Sequence, residues 1–246
     1  FVEKFSPTGM LLGASFLTCI GLLMFSYVES GVVPLMIAGA FFAIGIAFFV
    51  PNMIGLMSER FPRAGSLGIV LLIGMGFVGG GGSNAIIGEI ADSYLPEALD
   101  EQQTMQILEQ IVEEFPVYVE KAQQATGNHQ AVARLGYREA DVRNVLEQAR
   151  QALNYYRDTG EFNGNTTGNA LRALIDSGME QQQALIQQTS AVLRPADNYG
   201  GRMAFRWVVP IPIIAGIVFM VWFLRDQRQG GYKVERLQER KHDGVS

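Results

Sequence analysis

Hydrophobic and polar positions are segregated along this chain rather than interleaved. Residues 5–28, 30–58, 64–88 and 207–224 contain no Asp, Glu, Lys or Arg. A bilayer core of about 30 Å is crossed by about 20 helical residues, so each run can span it. Helices of globular proteins are apolar along one stripe only, and runs apolar all round predict transmembrane helices. The spans are expected at about 10–28, 32–57, 65–90 and 203–224. Residues 94–202 show a different pattern, with apolar positions recurring at three- and four-residue steps. One series is Met105, Leu108, Ile111, Val112, Phe115 and Val119; a second is Val142, Val145, Leu146, Ala149, Leu153 and Tyr156. A third runs through Leu171, Leu174, Ile175, Leu185, Ile186, Val192 and Leu193. They predict three amphipathic helices around one modest core, joined at Thr126-Gly127-Asn128 and at 160–168, with Pro116 kinking the first or starting a separate one. The expected fold is therefore an all-α membrane protein, four transmembrane helices plus a polar helical insert.

Composition sharpens this picture. Hydrophobic residues make up 48% of the 246, which would suit a soluble protein if they were spread evenly. The insert carries nine Lys or Arg against fifteen Asp or Glu and is acidic. Cys19 is the single cysteine, inside the first apolar run, so neither a disulfide nor a thiolate site is expected. His129 and His242 stand alone among polar neighbours, which gives no metal site and no cofactor. Glu109, Glu113, Glu114 and Glu120 read as a solvated acidic face, and no Ser, His or Cys constellation joins them. Enzymatic activity is not expected. Asn165-Thr166-Thr167 matches a glycosylation acceptor by pattern alone. The chain opens on Phe1 without the basic start and cleavage pattern of a signal peptide, so it is expected to begin inside a longer protein. The expected partner read from the residues themselves is the lipid bilayer, with no nucleic acid.

Polar and small residues inside the spans are the candidate functional positions. Gly13, Ala14, Ser15 and Gly21 in the first span, and Gly39, Ala40, Ala43, Gly45 and Ala47 in the second, let helix backbones approach closely in lipid. Pro51-Asn52 interrupts the second span. A proline there removes a backbone bond and predicts a kink, either a gate lining a cavity or an ordinary bend near a helix end. The third span holds Gly65, Gly68, Gly74, Gly76, Gly79, Gly80, Gly81, Gly82 and Gly88. Each glycine costs up to about 1 kcal/mol in a helix, which predicts a loosened segment at 79–83. A phosphate loop would need Lys-Ser or Lys-Thr next; Ser83 and Asn84 follow instead. Asn52, Ser83 and Asn84 are thus candidates for a solute pathway, and Pro51, Gly79, Gly80, Gly81 and Gly82 for a gating hinge.

Charge placement orients the spans. The first connection has only Glu29, the second has Glu59, Arg60, Pro62 and Arg63, and residues 225–246 carry six basic against four acidic residues. Positive residues near span ends stay cytoplasmic. The start of the chain, the Arg60/Arg63 turn and the tail are expected in the cytoplasm, with Glu29 and the insert on the extracytoplasmic side of a plasma (inner) membrane. Arg202 and Arg206 lie against this rule, and Arg206 can snorkel to the interface. Trp207 and Trp222 bracket the last span as an aromatic belt.

A polar residue beside proline late in one span, the turn Ser58-Glu59-Arg60-Phe61-Pro62-Arg63, a glycine-rich next span and the closing Gly88-Glu89-Ile90-Ala91-Asp92 resemble the tenth and eleventh spans of major facilitator superfamily permeases. The first and fourth spans would then match the ninth and twelfth. The resemblance covers about residues 5–95 and 203–225, and the insert departs from the usual short loop. It implies alternating access around a midplane site by a secondary transporter, with a small solute and missing preceding spans of the same protein as its partners. A different class of function is a non-transporting membrane protein whose insert is an extracytoplasmic sensor or docking domain.

Overall fold

The computed structural model describes residues 6–125 and 135–232. Among them every regular element is helical: α1 (Pro7–Tyr27), α2 (Val32–Arg60), a 3-10 turn (Pro62–Ala64), α3 (Gly65–Ala98), α4 (Glu101–Ala125), α5 (Glu139–Thr159), α6 (Gly164–Ser177), a second 3-10 turn (Glu180–Gln182), α7 (Gln183–Val208) and α8 (Pro210–Arg228). Four helical stretches are long and apolar enough to cross a membrane. The chain divides into two compact units. One gathers the described residues up to Ile86 with those from Phe205 onward, and the other is Ile87–Ala204.

In the first unit α1 is the central helix, packing on α2 and α8. It starts where the Ser6 hydroxyl accepts the Gly9 N–H at 3.2 Å and Pro7 takes an early position that needs no donor. Small residues set the α1–α2 contact, as their spacing predicted. A Cβ on Gly21 would lie 2.6 Å from the Phe42 backbone nitrogen, and one on Gly45 would overlap the Thr18 hydroxyl. Leu11, Leu56 and Phe219 form the buried centre of the unit. At one end of the bundle Phe25 stacks on Phe205 with centroids 5.0 Å apart, and the Arg206 guanidinium lies over the Tyr27 ring. The residues that begin α1 and end α8 meet at the other end, so α1 and α8 run antiparallel.

The glycine run does not break α3, which is helical through Gly79, Gly80, Gly81, Gly82 and Ser83. Glycine weakens a helix by about 1 kcal/mol per residue, but an unmade backbone bond in hydrocarbon costs several, so the ladder stays closed. Helix α2 runs from Val32 to Arg60 with Pro51 inside it. Residues 205–208 end α7 and Pro210 opens α8, while Val209 between them keeps helical dihedrals, donating to the Phe205 carbonyl at 3.2 Å and accepting the Ile213 N–H at 3.4 Å. Pro210 and Pro212 supply no N–H, so the ladder is thinned there.

The second unit contains the end of α3, helices α4 to α6 and most of α7. Its core is built on Leu95, Ile107, Leu108, Ile111, Phe115, Val142, Val145, Ala149, Leu153, Leu171, Leu174, Leu185 and Leu193, nearly all of them positions picked out by the apolar spacing. The series from Leu171 to Leu193 forms two helices instead of one. Gly178, in the left-handed region at φ 59°, ends α6, a conformation glycine takes without a Cβ clash. Gly160 ends α5 in the same way at φ 77°, and Asn163 starts α6 by accepting the Thr166 N–H at 3.0 Å. Pro116 sits inside α4 without ending it. Thr126-Gly127-Asn128, His129 and His242 lie outside the described residues.

The root of this unit is tightly fitted. A Cβ on Gly164 would overlap the Asp92 carbonyl, and one on Gly200 the Ala91 carbonyl. Beside them Arg172 donates to Asp92 at 2.8 Å and to Asp197 at 2.7 Å, tying α6 to α3 and α7. Burial works against the guanidinium charge, but the two carboxylates outweigh it and raise the Arg172 pKa above its ordinary value.

Candidate functional site

The predicted basic turn becomes a buried charge cluster at one end of the first unit. Arg60, at the last residue of α2, donates to the Asp226 carboxylate near the end of α8. Asp226 is only 5% exposed and also accepts from the Thr8 hydroxyl of α1 at 3.1 Å. Ser6 hydrogen-bonds Thr8 at 3.1 Å, and since the Thr8 proton points at Asp226, Ser6 is the donor of that pair. The Arg60 guanidinium lies over the rings of Trp222 and Tyr232, 5.9 and 5.1 Å from their centroids. Tyr232 donates to Glu59 at 2.5 Å. Burial, and then the Glu59 carboxylate, holds the Tyr232 phenol above its ordinary pKa of 10.0.

The arrangement works as a clamp. A carboxylate removed from water needs opposite charge and donors; Asp226 receives both, from two different helices. The ends of α1, α2 and α8 are thereby fixed to one another through a single side chain. Sequence reasoning found Glu59 and Arg60 but missed Asp226, Thr8, Ser6, Trp222 and Tyr232. The available signal was an acidic residue, Asp226, amid the basic residues Arg225 and Arg228 at a span end. Of the other two turn residues, Pro62 opens the 3-10 turn and Arg63 is exposed.

The solute-pathway candidates are placed on two helices. Asn52 on α2 donates its side-chain amide to the Phe48 carbonyl at 2.6 Å, one turn back. The Asn52 donor is therefore partly spent inside its own helix, beside the site where Pro51 supplies no N–H. Ser83 on α3 similarly donates to the Gly80 carbonyl at 3.0 Å. Asn84 is exposed. A Cβ added at Gly74, Gly76, Gly79, Gly80, Gly81 or Gly82 would meet nothing within 4 Å. Along α3 the large residues Leu67, Val70, Met75, Phe77 and Val78 are all more than 60% exposed. Below the glycine run an apolar cleft of about 400 Å³ opens between α2 and α3, lined by Phe49, Val50, Met53, Leu72, Ile73, Gly76 and Phe77.

No group of His, Cys, Asp and Glu suited to a metal ion occurs among the described residues. No family model matches the chain, and neither the curated proteins nor the solved structures contain a match to it.

Proposed function

We propose that this chain supplies the last four spans of a secondary transporter that moves a small solute by alternating access, as its resemblance to the major facilitator superfamily implies. The observation that carries the reading is the exposed stretch of α3 from Gly79 to Asn84. Exposed Asn84 beside four open glycines is a poor surface for hydrocarbon, which has no partner for an amide and nothing to gain from backbone exposure. Small and polar residues on a span belong against other helices or a water-filled path. Further spans of the same protein would cover α3, leaving Asn52, Ser83 and Asn84 along the path and Pro51 with Gly79 to Gly82 as its moving wall. Asn52 keeps its carbonyl oxygen for a solute donor, and Asn84 keeps its whole amide.

The clamp around Asp226 fits the same reading, since a bundle that rocks as a body needs its helix ends tied. The Arg60 end of the first unit would face the cytoplasm and the acidic insert the outside of the cell. Reporter fusions at the turn after Gly160 and at the C-terminus test this orientation, and a cytoplasmic insert would contradict it. In the complete protein, Gly80→Leu and Asn52→Leu should each abolish uptake while expression is kept. Normal uptake by both variants counts against the pathway.

A second reading rests on the insert, which has a buried core of its own: a non-transporting membrane protein with an extracytoplasmic sensor or docking domain. Deleting residues 101–198 separates the two. Retained uptake supports the transporter, and a protein that never takes up any solute but loses a binding partner on deletion supports the sensor.

A further inference from the structure

A trough of about 730 Å³ opens between α1 and α8. Gly9 and Gly13, one turn apart on α1, leave its floor bare, while Leu12, Phe16, Met220 and Phe223 wall it. The two glycines differ: a Cβ on Gly9 would sit 3.2 Å from the Phe223 ring, whereas one on Gly13 would meet nothing within 4 Å. The trough is apolar along its length and polar at one end, where Ser6, Gln227 and Tyr232 line it.

Its dimensions and surroundings point to one kind of occupant. Ten residues of helix separate Ser6 from Phe16, about 15 Å at 1.5 Å per residue. That is half of a bilayer core of about 30 Å, the depth of one leaflet. The trough also continues onto the exposed apolar surface of the same two helices, through Phe16 at 66%, Met220 at 46% and Ile217 at 59% exposure. At the polar end the carboxylate of Asp226 is already engaged by Arg60 and Thr8, and the hydroxyls of Ser6 and Tyr232 already donate to Thr8 and Glu59. The Gln227 amide is left as the donor for an incoming acceptor.

We propose that the trough binds a membrane phospholipid, with one acyl chain along Gly9 and Gly13 and the phosphate-ester region accepting from the Gln227 amide. The inference rests on α1 and α8 lying in a bilayer and does not depend on transport. It is tested by native mass spectrometry of the complete protein, purified in detergent and supplied with dioleoylphosphatidylcholine. One phospholipid per protein should survive detergent exchange. Gly13→Leu, whose Cβ would meet nothing within 4 Å and whose branched end adds bulk in the trough, should lower occupancy at least tenfold, and Gly13→Ala should keep at least half. Gln227→Leu should lower it about fivefold and serves alone should Gly13→Leu not fold. No retained phospholipid in the unaltered protein overturns the proposal, as does equal retention by the Gly13→Leu and Gln227→Leu variants.

Discussion

Replacing Arg60 by Met should cost more stability than replacing Asp226 by Leu, although both break the same ion pair. The asymmetry follows from burial. The Asp226 side chain is 6% exposed and that of Arg60 22%. Without Arg60, a carboxylate stays buried with only the Thr8 hydroxyl to stabilise it. Breaking a buried pair from one side costs about 3–5 kcal/mol, and the Thr8 bond places this case near 3. Without Asp226, Arg60 keeps the faces of Trp222 and Tyr232, each worth about 0.5–1 kcal/mol, and its long stem reaches water. That variant should lose about 1–2 kcal/mol. The double variant leaves no buried charge and should fall within about 1 kcal/mol of the original, since a hydrophobic pair of similar volume commonly replaces a buried ion pair at little cost. At about 2–4 °C per kcal/mol for a chain of this size, Arg60→Met should lower the melting midpoint by about 6–12 °C. Thermal unfolding of the detergent-purified protein reads all three. A larger loss for Asp226→Leu than for Arg60→Met, or a double variant as unstable as the two losses added, refutes the clamp.

The insert makes two further predictions. Gly164→Val places atoms on the Asp92 carbonyl and Gly200→Val on the Ala91 carbonyl, so each should cost at least about 1–3 kcal/mol of insert stability. Gly201→Ala, where a Cβ meets nothing, should be neutral or stabilising; urea midpoints followed by circular dichroism distinguish them. Tyr137 is buried, and its phenol is held above the ordinary 10.0 first by that burial and then by Tyr118. Because its folded pKa lies above the unfolded one, its stabilising contribution is complete below about pH 10 and is lost as pH rises through the folded value. Tyr137→Phe should therefore flatten part of the fall in stability above pH 10, as measured by urea midpoints at pH 9 and 11. A fall unchanged by the substitution would contradict the assignment.

The helical architecture was legible because it is written in periodicity. Uncharged runs gave the spans, and three- and four-residue spacing picked out Ile111, Val145 and Leu174, which the structure buries. Boundaries were less legible. Gly79 to Gly82 predicted a loosened segment by propensity, and α3 runs helical through them. The junction of α7 and α8 falls at Val209, beside two prolines that supply no N–H, although Val209 itself keeps helical dihedrals. The charge cluster was half visible: Arg60 announced itself in a short turn, whereas Asp226 sits 166 residues away in sequence and reads as one of several tail charges until α8 brings it to α2. Asn52 and Ser83 illustrate the opposite limit. Polarity singled them out within their apolar runs, yet composition could not show that their donors turn back onto Phe48 and Gly80.

The central claim, a path lined by α2 and α3 that opens alternately to each side, is tested most directly by cysteine accessibility. Asn52→Cys and Asn84→Cys are placed singly in a cysteine-free background of the complete protein, including Cys19→Ser. A membrane-impermeant maleimide is then applied to right-side-out and inside-out vesicles. The account predicts that each cysteine is modified from either side, with the Gly80→Leu change confining modification to one side. Labelling from one side only in the otherwise unaltered protein, or none from either, would contradict it.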